Sequence, residues 1–509
     1  MFGVKAINKL SRILGGMISL ALLCTSITCY ADKEEDIAAN RAAAVESEEW
    51  EDWPKGPVVS AESAILMEAQ TGTILYAKNI HKQQYPASIT KVLTSLIAIE
   101  RCDLDEMVTF SKDAVFSIDP GSNHVGIDVG EQITIEQCLN AILIRSANEV
   151  SFGVAEHISG ESWREFADIM NERAKELGAL HSNFVNPNGL PNEEHVTTAY
   201  DMAMIGRAFF ANDILCKMTT TRRLHIPPSE TQPHDIIENN KMELIKGGAY
   251  EYEYLVGCKT GFTVAARSTL ISCAEKDGLK LICVVLKDEA PYQYEDTIAL
   301  FDYGFSNFAK KNVAEYETDY NIGSGTLFYS DYDIFGNSKP ILALNKEDFV
   351  VVPKDAEFQE LESEISYETD SQTEAARITY TYNGIFVGSA SIDWALDSRA
   401  DYRFEAVNEG DDKETSSPDS EPAQNTAGED KASFVFLDFR LIGIVLLAVA
   451  GVLTAGVVLL VILRNYRVRS RRRRRRKSRS SMGMTVDLKK KRRKQIAQAK
   501  RRQRRGGRY

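Results

Sequence analysis

Hydrophobic and polar positions follow two different periods in the first part of the chain. Residues 60–67 and 72–76, on either side of a Gln-Thr-Gly turn, read as the two strands of a β-hairpin. The run SITKVLTSLIAIE at residues 88–100 is instead apolar over most of a helix circumference. A helix of that kind is buried on nearly all sides, so we expect it at the centre of a domain.

More elements of both kinds follow up to about residue 308. An apolar helix is predicted over residues 135–143 and an amphipathic one over residues 163–177. The runs RSTLISC at 267–273 and LICVVL at 281–286 flank a short polar turn and predict a second hairpin. Helices mixed with an antiparallel sheet indicate an α+β fold, and we place this domain at residues 57–308.

Helical periodicity fades after this region, and short strand-like runs replace it. They occur at residues 325–329, 349–352 and 376–382, and the last of them leads into Asn383-Gly384, a favourable hairpin turn. We therefore expect a small, β-rich domain over residues 309–400.

One uncharged apolar run lies nearer the end of the chain. Residues 441–463 contain 23 consecutive residues without a charge. At the helical rise of about 1.5 Å per residue, such a run crosses the roughly 30 Å of a bilayer's hydrocarbon core. A single transmembrane helix is the favoured interpretation, and a buried core helix is the less favoured one.

The N-terminal residues have the layout of a secretory signal. Three bases precede an apolar stretch at residues 13–28, and the small residue Ala31 precedes an acidic run. This pattern predicts a signal peptide over residues 1–31, with an uncleaved N-terminal anchor as the alternative.

Charge is distributed very unevenly around the apolar run. The formal net charge is -13, but residues 464–509 carry 23 Lys and Arg against one acid, which leaves 37 bases and 72 acids for the rest. The acidic residues 32–56 are expected to be a spacer, and residues 405–435 a disordered acidic linker. The positive-inside rule places the basic tail in the cytoplasm and everything before residue 441 outside the membrane.

Two ligands suit the basic tail. Its run of arginines at residues 471–476 fits nucleic acid, and it also fits anionic lipid headgroups. Because the tail begins directly at the predicted membrane surface and has few aromatic residues, anionic lipid is the favoured partner and nucleic acid the less favoured one.

The exported part contains six cysteines, and their spacing matches neither a zinc site nor a dense disulfide framework. We expect most of them to be buried thiols. A disulfide bond between one pair of them is the alternative, and the sequence does not identify the pair. No motif calls for a metal or an organic cofactor, so none is expected.

The most informative motif is Ser88-Ile89-Thr90-Lys91 at the start of the predicted central helix. The hydroxyl of Ser88 would lie at a helix N-terminus, where free N–H groups favour negative charge. Lys91 lies one turn later on the same face. A lysine acts as a base only if burial and a second cation depress its pKa. Taken alone, the motif is better explained as an N-cap serine followed by a solvated lysine.

A second motif, Ser146-Ala147-Asn148, follows the helix predicted at 135–143. The hydroxyl of Ser146 is suited to relaying a proton to a leaving amine, and the amide of Asn148 to holding a substrate amide. The pattern S-x-N by itself is almost uninformative.

The third motif is Lys259-Thr260-Gly261, between strand-like runs. On an edge strand beside the serine, Lys259 and Thr260 would bind a carboxylate, and Gly261 would let the backbone come close. The N–H of Phe262, together with that of Ser88, would then form an oxyanion hole. Lys259 would also supply the charge that depresses the pKa of the first motif's lysine.

The three motifs in this order occur in class A β-lactamases and penicillin-binding proteins. Residues 63–305 resemble the serine-type D-alanyl-D-alanine carboxypeptidases, the low-molecular-mass penicillin-binding proteins. The matching pieces are LMEAQTGTILYAKN, YPASITKVLT, VGEQITIEQCLNAILIRSANEV, FADIMNERAKELGA, FVNPNGLPNEEHVTTAYDMA and GCKTGFT. The segment NPNGLP is particular to these enzymes, whereas β-lactamases lack it.

The resemblance implies a serine β-lactamase/DD-peptidase-like fold, with helices flanking an antiparallel sheet. It implies Ser88 as the acyl-ester nucleophile and Lys91 as proton acceptor. Ser146 and Asn148 would complete the site, and the lysine and threonine of the K-T-G motif would bind the substrate carboxylate. The implied substrates are peptidoglycan stem peptides ending in D-Ala-D-Ala, and β-lactam antibiotics are the implied inhibitors.

Two positions depart from the family pattern. Arg267 follows Ala266 where the family often has Gly, and Glu149 follows Asn148 where it often has Asp. Neither is a nucleophile or a base.

Three alternatives stay open. A β-lactamase would share all three motifs and would need an acid for deacylation, for which Glu193 and Glu194 are available. A transpeptidase without net hydrolysis would use the same site. A non-catalytic membrane-anchored wall scaffold belongs to another class.

Overall fold

The structure is a computed structural model that describes residues 33–160, 162–318, 320, 342–368, 371 and 373–394. All of them lie in the first of the two units into which the chain divides, Met1–Phe404. The signal peptide, the strand at 325–329, the linker, the transmembrane helix and the basic tail predicted above lie outside the described residues. Within the described ranges, no helix combines the length and the apolar character needed to cross a membrane.

The described residues form strands and helices in alternation. The strands are β1 Ser63–Glu68, β2 Ile74–Lys78, β3 Met107–Thr109, β4 Gln132–Thr134, β5 Arg223–Ile226, β6 Ile236–Asn239, β7 Leu255–Thr263, β8 Arg267–Lys276, β9 Leu279–Asp288, β10 Phe308–Asn312, β11 Leu342–Leu344, β12 Phe349–Pro353, β13 Glu362–Ser366, β14 Glu374–Tyr382 and β15 Ile385–Trp394. The helices are α1 at residues 33–42, α2 Thr90–Arg101, α3 Lys112–Phe116, α4 Ile135–Asn140, α5 Asn148–Ser159, α6 Phe166–Glu176, α7 Ala199–Phe210, α8 Asp213–Thr220, α9 Tyr292–Asn307 and α10 Val313–Tyr316.

The main sheet is antiparallel, with strand order β2-β1-β9-β8-β7. Successive residues of its strands point into two different cores. In β9, Ile282 and Val284 join the core that contains α2 and α7, while Leu281, Cys283 and Val285 join the core that contains α9. Because both faces are covered by helices, the strands read as nearly continuous apolar runs. The predicted α+β architecture and both predicted hairpins of this domain are confirmed.

Helix α2 is the central buried helix predicted from its apolar circumference. Nine of its residues are buried, including Lys91 and Thr94. The helix expected at residues 135–143 is regular only to Asn140 and continues as a π-helix over Ala141–Arg145. The helix expected at 163–177 is present as α6.

A second antiparallel sheet follows, with order β10-β12-β15-β14-β13 and β11 paired to β15. Its β14–β15 hairpin turns at Asn383 and Gly384, whose φ angles of 49° and 76° are those of the predicted tight turn. The core of this sheet is continuous with the α9 side of the main sheet, since Val350 and Tyr380 belong to the same cluster as Phe301.

Residues 33–56, expected to be an acidic spacer, are folded in the structure. They form α1 and a 3-10 turn at Glu46–Glu49, and the side chain of Trp53 is buried. Its indole N–H donates to the carbonyl of Leu75 in β2 at 2.9 Å. Although the segment is acidic, it contains a few large apolar side chains that cover the sheet. The free energy gained by burying those side chains outweighs the unfavourable effect of the charges.

Candidate active site

Ser88 lies in a 3-10 turn, Ala87–Ile89, that leads into α2. Ala87 has a φ of 51°, in the left-handed region that non-glycine residues rarely adopt. The hydroxyl of Thr269 in β8 donates to the carbonyl of Pro86 at 2.8 Å and fixes this turn against the main sheet. The nucleophile predicted from the sequence is therefore held at the junction of the sheet and the central helix.

Lys91 is fully buried and makes three hydrogen bonds. Its Nζ donates to Ser88 Oγ at 3.0 Å, to Asn148 Oδ1 at 2.8 Å and to the carbonyl of Asn188 at 2.6 Å. When this amine is neutral, two N–H groups still donate to Asn148 and Asn188, and its lone pair instead accepts the hydroxyl hydrogen of Ser88. The geometry thus suits removal of the Ser88 proton.

The pKa of Lys91 is held well below its usual range. Burial disfavours the charged form, and the ammonium of Lys259 adds a repulsion, while Glu149 acts in the opposite direction. Burial also lowers the pKa of Lys259, to about 8. Burial and the nearby Lys259 therefore both favour the neutral form of Lys91, which is the form that can accept a proton.

Ser146 and Lys259 line the same cavity as Ser88. The Nζ of Lys259 donates to Ser146 Oγ at 3.2 Å and to the carbonyl of Thr260 at 2.8 Å. Ser146 follows the π-helix and has a φ of 60°. A π-helix of this kind is frequent at functional sites, because it redirects a single side chain.

Gly261 is in β7, the edge strand of the main sheet. A β-carbon at this position would lie 2.5 Å from Thr269 Oγ1 and 2.7 Å from the backbone nitrogen of Ser88. Glycine is thus required for β7 to lie next to the nucleophile. The side chain of Phe262, the next residue, is 61% exposed on the rim.

One cavity of about 450 Å³ brings all three motifs together. Seven of the eight site residues predicted from the sequence line this cavity. The eighth, Lys91, lies buried behind Ser88. The seven are Ser88, Ser146, Asn148, Lys259, Thr260, Gly261 and Phe262. None of the described residues that line it is an Asp or a Glu.

Two residues contact this machinery without having been assigned a role from the sequence. Asn188 contributes a backbone carbonyl to Lys91, so no side-chain pattern identifies it. Its neighbour Gly189 has a φ of 79°, and a β-carbon there would lie 1.8 Å from the carbonyl of Ala87. The Asn-Gly pair within NPNGLP was the available signal, since it marks a tight turn.

The two departures from the family pattern have structural partners. Glu149 is buried, and its Oε1 accepts backbone N–H bonds from Val125 at 2.7 Å and Gly126 at 3.1 Å. Arg267 has a φ of 54° and forms an ion pair with Glu289. Glu149 thus ties α5 to the loop that ends before β4.

Comparisons with known proteins agree with this geometry. A family model described as D-alanyl-D-alanine carboxypeptidase matches residues 51–290. The chain is 33% identical over 251 residues to the D-alanyl-D-alanine carboxypeptidase DacF of Bacillus subtilis. The aligned residues make up 49% of this chain and 63% of DacF, so the chain spans less than two thirds of that protein's length. It is 30% identical over 262 residues to DacB2 of Mycobacterium tuberculosis, also a D-alanyl-D-alanine carboxypeptidase, covering 50% of this chain and 84% of that protein.

A solved structure extends the likeness beyond the main sheet. Penicillin binding protein 5 from Haemophilus influenzae superposes with a TM-score of 0.52 and 23% identity. The match covers 67% of this chain and 98% of that one. It shows a shared fold.

Proposed function

The chain belongs to the D-alanyl-D-alanine carboxypeptidase family, and we propose that it removes the terminal D-Ala from peptidoglycan stem peptides through an acyl-enzyme on Ser88. One observation carries this proposal. The buried amine of Lys91 lies 3.0 Å from Ser88 Oγ, and Ser88 lines the same cavity as Lys259. A base, a nucleophile and a cation for a carboxylate are thus present together.

The reaction begins with the substrate's terminal carboxylate against Lys259 and Thr260. Lys91 takes the proton of Ser88, whose Oγ bonds to the carbonyl carbon of the D-Ala-D-Ala amide. The oxygen of that carbonyl becomes negative and accepts the backbone N–H groups of Ser88 and Phe262. The unusual closeness of Gly261 to Ser88 supports this placement.

The tetrahedral intermediate then loses D-Ala. The amide C–N bond breaks, and the proton taken from Ser88 passes to the leaving amine through Ser146, which is hydrogen-bonded to Lys259. Asn148, itself fixed by Lys91, orients the substrate amide. Water then attacks the ester with Lys91 as base, which releases the shortened peptide and restores Ser88.

β-Lactams would acylate the same serine, because their ring carbonyl and carboxylate match those of the D-Ala-D-Ala end. A β-lactamase would also need an acid to activate water for rapid deacylation. Glu193 and Glu194 are exposed, and Glu193 lines a neighbouring cavity of about 310 Å³ instead of the one that contains Lys259. This placement favours slow deacylation, hence a penicillin-sensitive carboxypeptidase.

The test is D-Ala release from a short peptide ending in Lys-D-Ala-D-Ala, with hydrolysis of a chromogenic cephalosporin measured in parallel. We expect steady D-Ala release and slow cephalosporin turnover. Ser88→Ala should lose about three orders of magnitude or more in release. Rapid cephalosporin hydrolysis without D-Ala release would favour a β-lactamase. Penicillin labelling without either turnover would favour a transpeptidase, and no labelling would favour the non-catalytic scaffold.

We also propose that residues 441–463 anchor the protein in the membrane, with the catalytic domain outside and the tail inside. Support comes from the uncharged 23-residue run and from the 23 bases of residues 464–509. The tail would bind anionic lipids. Protease added to intact spheroplasts should remove the catalytic domain and spare the tail; the opposite pattern would refute this topology. Salt-sensitive RNA binding by the tail, without binding to anionic vesicles, would refute the lipid assignment.

A further inference from the structure

The far ends of the two helices that carry catalytic residues converge on a cluster of metal-binding side chains. Cys102 is the C-cap of α2, His157 lies in the last turn of α5, and Glu106 comes just before β3. One sulfur, one imidazole nitrogen and one carboxylate oxygen of these three residues all lie within 4.8 Å of one another. All three residues are partly accessible, so an ion can reach them from solvent.

The distances fit one bound ion. His157 Nε2 and Glu106 Oε2 are 3.0 Å apart. Two ligands about 2.0 to 2.1 Å from a tetrahedral zinc ion stand roughly 3.3 Å from each other, so a small adjustment admits the metal between them. The other carboxylate oxygen of Glu106 accepts the backbone N–H of Asp103 at 2.6 Å, which fixes the ligand's orientation as a supporting hydrogen bond does in metal sites.

The helices supply a second, independent reason for a cation here. At their N-terminal ends α2 and α5 are joined by the Lys91–Asn148 hydrogen bond of 2.8 Å, and at their C-terminal ends by this cluster. The two helices therefore run in the same direction, and both C-termini, with their partial negative charge, point toward the same place. A cation is favoured at this point even before its ligands are considered.

We propose that Cys102, Glu106 and His157 bind one Zn²⁺ ion, with water as the fourth ligand, and that this ion ties the C-terminal ends of α2 and α5. The donor set of one sulfur, one imidazole nitrogen and one carboxylate oxygen suits zinc better than Mg²⁺ or Ca²⁺, which require oxygen ligands. The second cluster among the described residues, Asp128, Glu131 and His234, lacks sulfur and is not included.

The site is about the length of α2 away from Ser88, so its role is structural. Twelve residues of α-helix span roughly 18 Å at the usual rise. The ion would hold the far ends of the two helices together, and this inference does not rest on the proposed reaction.

The experiment uses the full chain, purified in detergent, stripped with EDTA and titrated with ZnCl₂ under native mass spectrometry. We expect one zinc per chain and a rise in Tm of about 5 °C at saturating zinc. Cys102→Ser and His157→Gln should weaken zinc binding by about 100-fold or more. Two matched controls should bind as the parent does: Cys216→Ser, and His225→Ala, which removes an exposed histidine that pairs with Asp235.

Cobalt supplies a readout that does not depend on the stability of a variant. Co²⁺ bound by the parent should show a thiolate-to-cobalt charge-transfer band, and Cys102→His should retain zinc but lose that band. A parent that holds no zinc, or whose cobalt spectrum lacks the thiolate band, would overturn the proposal. So would unchanged zinc affinity in Cys102→Ser.

Discussion

A β-carbon on Gly261 would lie 2.7 Å from the backbone nitrogen of Ser88. Real β-carbons essentially never approach that closely, so only a glycine allows this edge strand to lie so near the nucleophile's turn. In the proposed mechanism, this closeness lets two backbone N–H donors, one from each element, reach a single carbonyl oxygen. The proposed oxyanion site therefore depends on the absence of one methyl group.

Replacing that glycine should damage catalysis more than folding. In Gly261→Ala the methyl group pushes β7 from Ser88, and we expect kcat/KM for D-Ala release to fall by about 100-fold or more, the cost of losing one oxyanion donor. Gly278→Asn, in an open turn where φ is 76°, is the control and should retain activity, because Asn tolerates this conformation. Equal activity in both variants would contradict the proposed oxyanion site.

The pH dependence should show the charge of Lys259. Its pKa is about 8, and only its protonated form binds the substrate carboxylate, so kcat/KM should fall as pH rises through about 8. In Lys259→Arg the guanidinium stays charged at all such pH values. The alkaline limb of the kcat/KM profile should therefore move to higher pH, even if the plateau is lower. An alkaline limb that stays in place would mean that another group causes it.

Glu149 should control the acid limb of the profile of kcat/KM against pH. Its negative charge opposes the lowering of the Lys91 pKa, and Lys91 must be neutral to act as base. Glu149→Gln removes the charge but keeps an acceptor for Val125 and Gly126, so the pKa of Lys91 falls further and the acid limb moves to lower pH. We also expect a loss of about 1 kcal/mol in stability, because a neutral acceptor bonds more weakly.

A buried carboxylate elsewhere provides the comparison for that shift. Glu131 accepts the backbone N–H of Asp128 at 2.9 Å and is absent from the causes that shift the pKa of Lys91. Glu131→Gln should therefore leave the acid limb where it is. A shift of the same size in both variants would indicate a general loss of structure, and no shift in Glu149→Gln would rule out its influence on Lys91.

The N-terminal segment should contribute measurable stability. Trp53 is 6% exposed and bonds to Leu75, so Trp53→Ala should cost about 3–5 kcal/mol in urea unfolding followed by fluorescence and circular dichroism. Val58→Ala, at a side chain 67% exposed, should change stability by no more than about 0.5 kcal/mol. If residues 33–56 were only a spacer, the two variants would behave alike.

Local features of the site follow from the sequence with little help. Ser88 and Lys91 are three residues apart where a 3-10 turn leads into α2. The apolar circumference of α2 predicts its burial, and the contact between the two residues follows from helical geometry. The hairpins of β1–β2 and β8–β9 follow from short apolar runs of strand length and from the turn residues between them. The regular helix α4 also follows from the sequence pattern. The π-helix that replaces its last turn does not, because it depends on tertiary packing and has no sequence period of its own.

Contacts between distant segments could not be derived in this way. Lys259 reaches Ser146 from a strand 113 residues away, and only the family resemblance brought the two motifs together. Asn188 acts through its carbonyl, a group that every residue possesses. Cysteine spacing likewise gave no sign of the cluster in which the fold brings Cys102 close to His157, because the two residues lie at the ends of different helices.

The central claim is that Ser88 accepts the acyl group of a D-Ala-D-Ala peptide. The most direct test is to quench the purified chain with acid during turnover of such a peptide and to measure its intact mass, then to locate the adduct by peptide mapping. The account predicts an added mass equal to the peptide without its terminal D-Ala and without water, on Ser88, and no adduct in Ser88→Ala. D-Ala release by Ser88→Ala at the parent's rate, or an adduct on another residue, would contradict it.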